Sequence, residues 1–427
     1  MRKCIFFIIF SVLSLSHFVF AQEEDVLRSV SKNGCDLQKA IDITLRKNPE
    51  LVAIALELDA AEARIKQAGL WSNPTFEAES ENFSGDYHSF SGAENTFSIS
   101  QPFLLGGKIK NQKRIAEKEK EILQLHYEVK KRDLILEVEE AVYDILLAQK
   151  NLEFTMEARK IAKNLYDFNT KKEKKKDFPS HQFLSAEIEF SQTELEVMNA
   201  RKSLEIAKRN LAILWGGTEV LLGECKGDLD REFDVPEYDK LKGYLLENNP
   251  EIKAIALQEE KGNFLLKSAK AERIPDVEIG FGVRRFEEDD THAYVAGLSF
   301  PLPLFNRNQG GIREALVNRK KVEIDGNAVR NRLLFALNEA YRTFKTAMHQ
   351  VDVFKDGILP KTEKYFKLTR KGYNEGSFEY LEVLEAERTL VETKKGYVES
   401  LKTLQSSVAN LERLCSKHFH GTKGNMF

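Results

Sequence analysis

No proline occurs between Asn308 and Leu359, and apolar residues recur there at Val329, Leu333, Leu337, Ala340, Phe344, Ala347, Val351, Phe354 and Ile358. Steps of four and three make a heptad stripe, the pattern of a long helix lying against another helix. The run breaks at Gly372-Tyr373-Asn374-Glu375-Gly376, a turn signal with two glycines. A second stripe returns through Leu381, Leu384, Tyr397, Leu401, Leu404, Val408, Leu411 and Cys415. The rising arm alone, Asn308 to Lys371, should span roughly 96 Å at the helical rise per residue. An ordinary globular domain holds no such hairpin, so it belongs to an elongated device. Pro360 falls inside the rising arm and is expected to kink it one or two turns before the tip.

Charge limits the partners. The 427 residues carry 64 basic and 67 acidic side chains, a balance that fits solvated coiled-coil faces and excludes a nucleic-acid footprint. Met1-Arg2-Lys3, the apolar run Ile5 to Phe20 and the small-residue site at Ala21 read as a secretory signal peptide over residues 1–21. The run is short for a spanning helix, and no second one follows, so no transmembrane helix is expected. Maturation would leave Cys35, Cys225 and Cys415, an odd and widely spaced set that makes no disulfide framework.

The chain also repeats itself. Asn48-Pro49-Glu50 and Asn249-Pro250-Glu251 each open a helical run, and helix-like segments precede both. A proline and alternating residues follow in each half, at Pro74-Thr75-Phe76-Glu77 and at Pro275-Asp276-Val277-Glu278. Each half then reads loop, strand, long helix, turn and return helix. The halves span 36–222 and 238–415, joined by a connector over 215–236 and followed by a flexible tail over 416–427. The two long helices should exceed sixty residues and the other four should have about thirty-five, so that two short helices end to end match one long one.

Strands are expected at about 74–83, 94–102, 276–285 and 293–302. Val277 to Arg284 places Val, Ile, Phe and Val on one face and Glu, Gly, Gly and Arg on the other. Segments of about ten residues with one apolar and one polar face are what an outer-membrane barrel uses. The competing reading is a small soluble sheet on helices, yet helices this long offer no compact core for it. Four strands cannot close a barrel, since about eight is the practical minimum. An open edge in lipid would leave backbone groups unsatisfied, so several chains must share one barrel.

These features together resemble the TolC-like family of outer-membrane efflux proteins over essentially the whole mature chain. The tip segment Tyr373-Asn-Glu-Gly376-Ser-Phe-Glu-Tyr380-Leu381-Glu382-Val383-Leu384-Glu385-Ala386-Glu387-Arg388 is similar to the family's Tyr-x-x-Gly followed by Leu-Asp-Val-Leu-x-Ala-x-Arg. The segment Ser299-Phe-Pro301-Leu-Pro303-Leu-Phe305-Asn306-Arg307-Asn308-Gln309-Gly310 resembles the heavy-metal branch (cobalt-zinc-cadmium or copper efflux). The resemblance implies a mainly α fold with a small β part. It implies long hairpins forming a periplasmic helical barrel, and a homotrimer whose twelve-stranded barrel sits in outer-membrane lipid. It also implies a periplasmic adaptor and an inner-membrane pump, often proton-driven, as partners.

In that family, acidic side chains just past the second tip constrict the entrance, and the motif places them at Glu382 and Glu385. Residues three apart share a helix face, so three copies could stack two carboxylate rings that attract cations. The plain alternative is that both solvate the outside of the tip. Gly372, Tyr373 and Gly376 are further tip and adaptor-contact candidates. The first hairpin departs from the pattern, with Lys176 and Gln182 where the glycine and acid would fall. Its turn carries Lys171, Lys172, Lys174, Lys175 and Lys176, either a solvated loop or a dock for an acidic adaptor surface.

Cys415, His418 and His420 are metal-ligand types close in sequence, but three or four converging groups are needed, and a disordered tail is the simpler account. Leu105-Gly106-Gly107-Lys108 lacks the spacing of a phosphate loop. No catalytic arrangement, metal site or cofactor is expected. The leading function is a passive exit duct of a tripartite efflux system for metal cations or small toxic compounds. The alternatives are the outer-membrane exit of a type I protein secretion system and, in another class, a soluble periplasmic coiled-coil scaffold.

Overall fold

Wherever the chain carries a heptad stripe it forms helix, and the prolines after Asn48 and Asn249 each interrupt one. The computed structural model describes residues 35–83, 89–173, 180–217, 223–231 and 233–419. The first half runs α1 (Leu37–Lys47), α2 (Pro49–Ala68), β1 (Thr75–Glu81), β2 (Glu94–Phe103), α3 (Lys108–Glu173) and α4 (Ser180–Leu214). The second runs α5 (Tyr238–Asn248), α6 (Pro250–Ala271), β3 (Val277–Phe286), β4 (Thr291–Ser299), α7 (Gln309–Asp352), a π-helical segment (Val353–Ile358), α8 (Leu359–Asn374) and α9 (Tyr380–Cys415). The signal-peptide segment 1–21 lies outside the described residues. Among those described, no helix is long and apolar enough to cross a membrane.

The chain divides into two units, each drawn from both halves. One comprises residues 1–52, 130–249 and 333–427, and its core is the buried stripe of the long helices. Leu134, Val138, Ile145, Leu211, Leu241, Leu245, Leu337, Leu411 and Leu414 are among its most enclosed side chains. The other unit, residues 53–129 and 250–332, carries one antiparallel sheet in the order β1-β2-β3-β4.

The joint at each Asn-Pro repeats in detail. Asn48 and Asn249 adopt extended ψ of 121° and 125°, as the residue before proline must. Asn48 Nδ2 donates to the Leu214 carbonyl and Asn249 Nδ2 to the Leu414 carbonyl, each at 3.0 Å. Both acceptors belong to the last turn of a helix, where carbonyls lack intrahelical partners. The same asparagine thus breaks one helix and caps the end of another.

The rising arm departs from expectation in one place. The stripe is buried through Val351, but Ile358 is exposed, because the intervening segment is π-helical. The extra residue of a π-turn rotates the following face away from the core. Pro360 enters directly after that segment, about four turns before the end of α8 and not one or two. On the returning arm Leu381 is exposed, and the buried face is set instead by Tyr380, Val383, Leu384, Glu387 and Leu390. The tail is also better ordered at its start than the composition implies. Phe419 is buried, and its N–H donates to Glu412 Oε1 at 2.6 Å.

Candidate functional site: the sheet faces and the hairpin tip

Strand register sorts the sheet into two faces. Phe76 pairs with Ile99, Ile99 with Phe281 and Phe281 with Ala296. The next row toward the loops is Ala78, Phe97, Val283 and Tyr294, and the row below holds Gln101, Ile279 and Leu298. Phe103 and Val277 extend the same face toward the helices. These side chains face outward, Phe76 at 67% and Phe281 at 65% exposure. From Val277 to Val283 the belt rises about 20 Å along the strand, close to the apolar band of an outer-membrane barrel. At the loop end it stops at a polar row, Ser80, Asn95, Arg285 and His292. At the helix end Trp71 meets Phe103 edge-on with ring centroids 5.9 Å apart, and Phe305 is 91% exposed. Aromatic rings at the rim of such a belt suit a membrane–water interface.

The opposite face is polar and acidic. Glu77, Glu79 and Glu81 alternate on β1 and align with Ser98, Thr96 and Glu94 of β2. Arg284 reaches across to Thr96 Oγ1 at 3.0 Å, Glu94 at 3.1 Å and Glu81 at 3.5 Å. Glu278 accepts from Ser100 Oγ at 2.5 Å. Closure at the base depends on Lys108, a buried cation opening α3 that holds Asp276 at 2.8 Å and Glu272 at 3.5 Å. The strand expected to reach residue 302 ends at Ser299, because Pro301 and Pro303 have no N–H for the ladder.

At the second tip, the predicted residues come together around one tight turn. Gly376 has φ +79°, a left-handed conformation that needs glycine. The Ser377 N–H closes on the Gly372 carbonyl at 2.8 Å and the Gly376 N–H on Tyr373 at 3.1 Å. Phe378 lies over Gly372 so closely that a Cβ there would stand 2.2 Å from its ring. Tyr373 is buried and donates to Asn169 Oδ1 of the first hairpin at 3.1 Å. Around it Leu165, Ala186, Phe366, Tyr380, Val383, Leu384 and Ala386 form a core shared by both hairpins.

Glu382 and Glu385 are both exposed on the first turns of α9. Glu382 has a second task, since it accepts from the Glu379 N–H at 2.7 Å and closes a capping box. Lys174, Lys175 and Lys176 lie outside the described residues, as does His420. Cys415 is buried with its thiol toward the Leu241 carbonyl, while His418 Nδ1 is 3.1 Å from Glu412 Oε2, which raises its pKa. No group of three or more metal-ligand side chains converges among the described residues.

Two acidic residues of the tip escape the motif. Glu387 is buried, its Oε2 meets no donor, and burial followed by the nearby Glu189 carboxylate pushes its pKa up to about 8. Glu189 is in turn paired with Arg388. Glu387 falls at an unspecified position of the motif, so only its helical phase between Leu384 and Leu390 could have marked it.

The model of the family described as outer membrane efflux protein matches residues 40–217 and 242–416. The cobalt-zinc-cadmium resistance protein CzcC of Cupriavidus metallidurans is 26% identical over 381 residues, 89% of this chain and 90% of its own. The nickel-cobalt-cadmium resistance protein NccC of Alcaligenes xylosoxydans is 26% identical over 305 residues, 67% of each chain. Among solved structures, that of CusC superposes with a TM-score of 0.75 at 17% identity, covering 89% of this chain and 91% of that one.

Proposed function

The chain belongs to the outer membrane efflux protein family, and from that premise we propose that it is a passive exit duct assembled from three copies. One observation carries the reading. The sheet exposes a belt of apolar rows on one face and carboxylates on the other, and among the described residues no further strand pairs with its edge strands β1 and β4. In lipid, unpaired edges are tolerable only if a neighbouring copy pairs with them. Three copies bring twelve strands, enough for a closed barrel with a water-filled lumen. The acidic face then lines that lumen and favours cations over anions. Similarity to CzcC and NccC extends the proposal to metal cations as cargo, driven by an inner-membrane pump through a periplasmic adaptor.

At the hairpin tip, Glu382 and Glu385 line the periplasmic entrance in this reading, where three copies concentrate six carboxylates. Gly372, Tyr373 and Gly376 give the tip the fixed shape an adaptor would grip, and Lys174, Lys175 and Lys176 add positive charge for an acidic adaptor surface. The test is single-channel recording in planar bilayers. Glu385→Gln is expected to raise conductance and weaken cation preference. It leaves the capping contact of Glu382 intact, so unchanged conductance would return both carboxylates to a capping and solvating role. Loss of the gene should sensitise cells to divalent cobalt, zinc, cadmium or nickel. Sensitivity to detergents and antibiotics alone would overturn the metal assignment.

A further inference from the structure

Cys35 and Cys225, 190 positions apart, meet in an isolated parallel β-bridge. The Cys35 N–H donates to the Glu224 carbonyl at 3.2 Å, and the Lys226 N–H returns to the Cys35 carbonyl at 2.8 Å. Gln149 of α3 clamps the same spot from the side, accepting from the Cys225 N–H at 3.0 Å and donating to its carbonyl at 3.1 Å. Both thiols are buried, at 1% and 3% exposure. Directly bridged residues have Cα atoms about 5 Å apart, inside the range a disulfide spans. An outer-membrane protein crosses the oxidising periplasm before it folds, and in that compartment disulfides form and persist.

We propose that Cys35 and Cys225 are joined by a disulfide in the mature protein, fastening the segment before α1 to the connector between the two halves. The oxidant is a protein disulfide donor of the periplasm, acting by thiol–disulfide exchange. One cysteine thiolate attacks the donor disulfide, giving a mixed disulfide and releasing one donor thiolate. The other cysteine, as thiolate, attacks the mixed disulfide at the sulfur of its partner, forming the Cys35–Cys225 bond and expelling the second donor thiolate. Two thiols are oxidised, one donor disulfide is reduced to a dithiol, and the two cysteine protons end on the donor sulfurs. Burial in the finished fold places the exchange before the connector closes over the pair. Cys415 sits 0% exposed on α9 against the Leu241 carbonyl, so it is left as the free thiol.

The experiment uses full-length protein from the outer-membrane fraction, unfolded in the presence of iodoacetamide without reductant and cut with trypsin. The expected result is one linked species containing peptides 33–39 and 210–226, while the Cys415 peptide 414–417 carries the alkyl group. The linkage should survive Cys415→Ser and vanish in Cys35→Ala. Reducing the wild type should lower its melting midpoint by about 5–10 °C, the loop closed by the bond being long. Alkylated Cys35 and Cys225 in that same fraction, or either one joined to Cys415, would overturn the proposal. Absence of the protein from the outer-membrane fraction would instead contradict its location.

Discussion

Glu387 is a buried carboxyl group, with Glu189 and Glu157 adding negative charge and Arg388 offsetting part of it. Its pKa is raised in the folded state from 4.5 to about 8, so the fold binds a proton that the unfolded chain releases. The stability this contributes is fully present below about pH 4.5 and is lost as pH rises through about 8. Glu387→Gln, neutral at every pH, should therefore raise the denaturation midpoint at pH 9 by the equivalent of about 2–4 kcal/mol and change little at pH 4. Urea titrations of both proteins at the two pH values decide it, and the same Glu-to-Gln difference at both would show that folding does not raise the pKa of Glu387. At the turn, Gly372→Ala drives a methyl into the Phe378 ring and should cost about 1–3 kcal/mol. Gly372→Ala combined with Phe378→Ala should recover most of that loss, a double-mutant test of the contact.

Elements were legible in proportion to how much of their environment is local. The heptad stripes placed the long helices because burial along a helix repeats every three or four residues, and Leu333 to Val351 is buried as that spacing requires. The π-helical segment at 353–358 was not legible, since its extra residue changes phase without any composition signal. Alternation marked the strands one by one. What it could not show was the register that aligns Phe76, Ile99, Phe281 and Ala296 into a row, because β2 and β3 lie in different halves. Nor could spacing reveal Cys35 beside Cys225, which the three-cysteine count had argued against. Phe281→Arg, in the middle of the belt, should lower assembly into vesicles by the equivalent of about 2–4 kcal/mol, whereas Ser98→Arg on the polar face should assemble normally. Equal assembly of both would mean the two faces do not differ in environment. Asn249→Ala should cost about 1–3 kcal/mol by leaving the Leu414 carbonyl without its donor, with Asn48→Ala acting alike at the equivalent joint.

For the whole molecule, a single chain leaves two surfaces unfinished: a sheet whose outer strands find no further strand among the described residues, and a tip with exposed carboxylates. In the proposed assembly symmetry would complete both, an edge strand β1 pairing with a neighbour's β4 and each Glu385 facing two others. The central claim is that the sheet lies in lipid and is closed by other copies. Native mass spectrometry of protein extracted in mild detergent tests it most directly. Three chains per particle, with aggregation once detergent is removed, is the predicted result; a folded monomer that stays soluble in detergent-free buffer would contradict it.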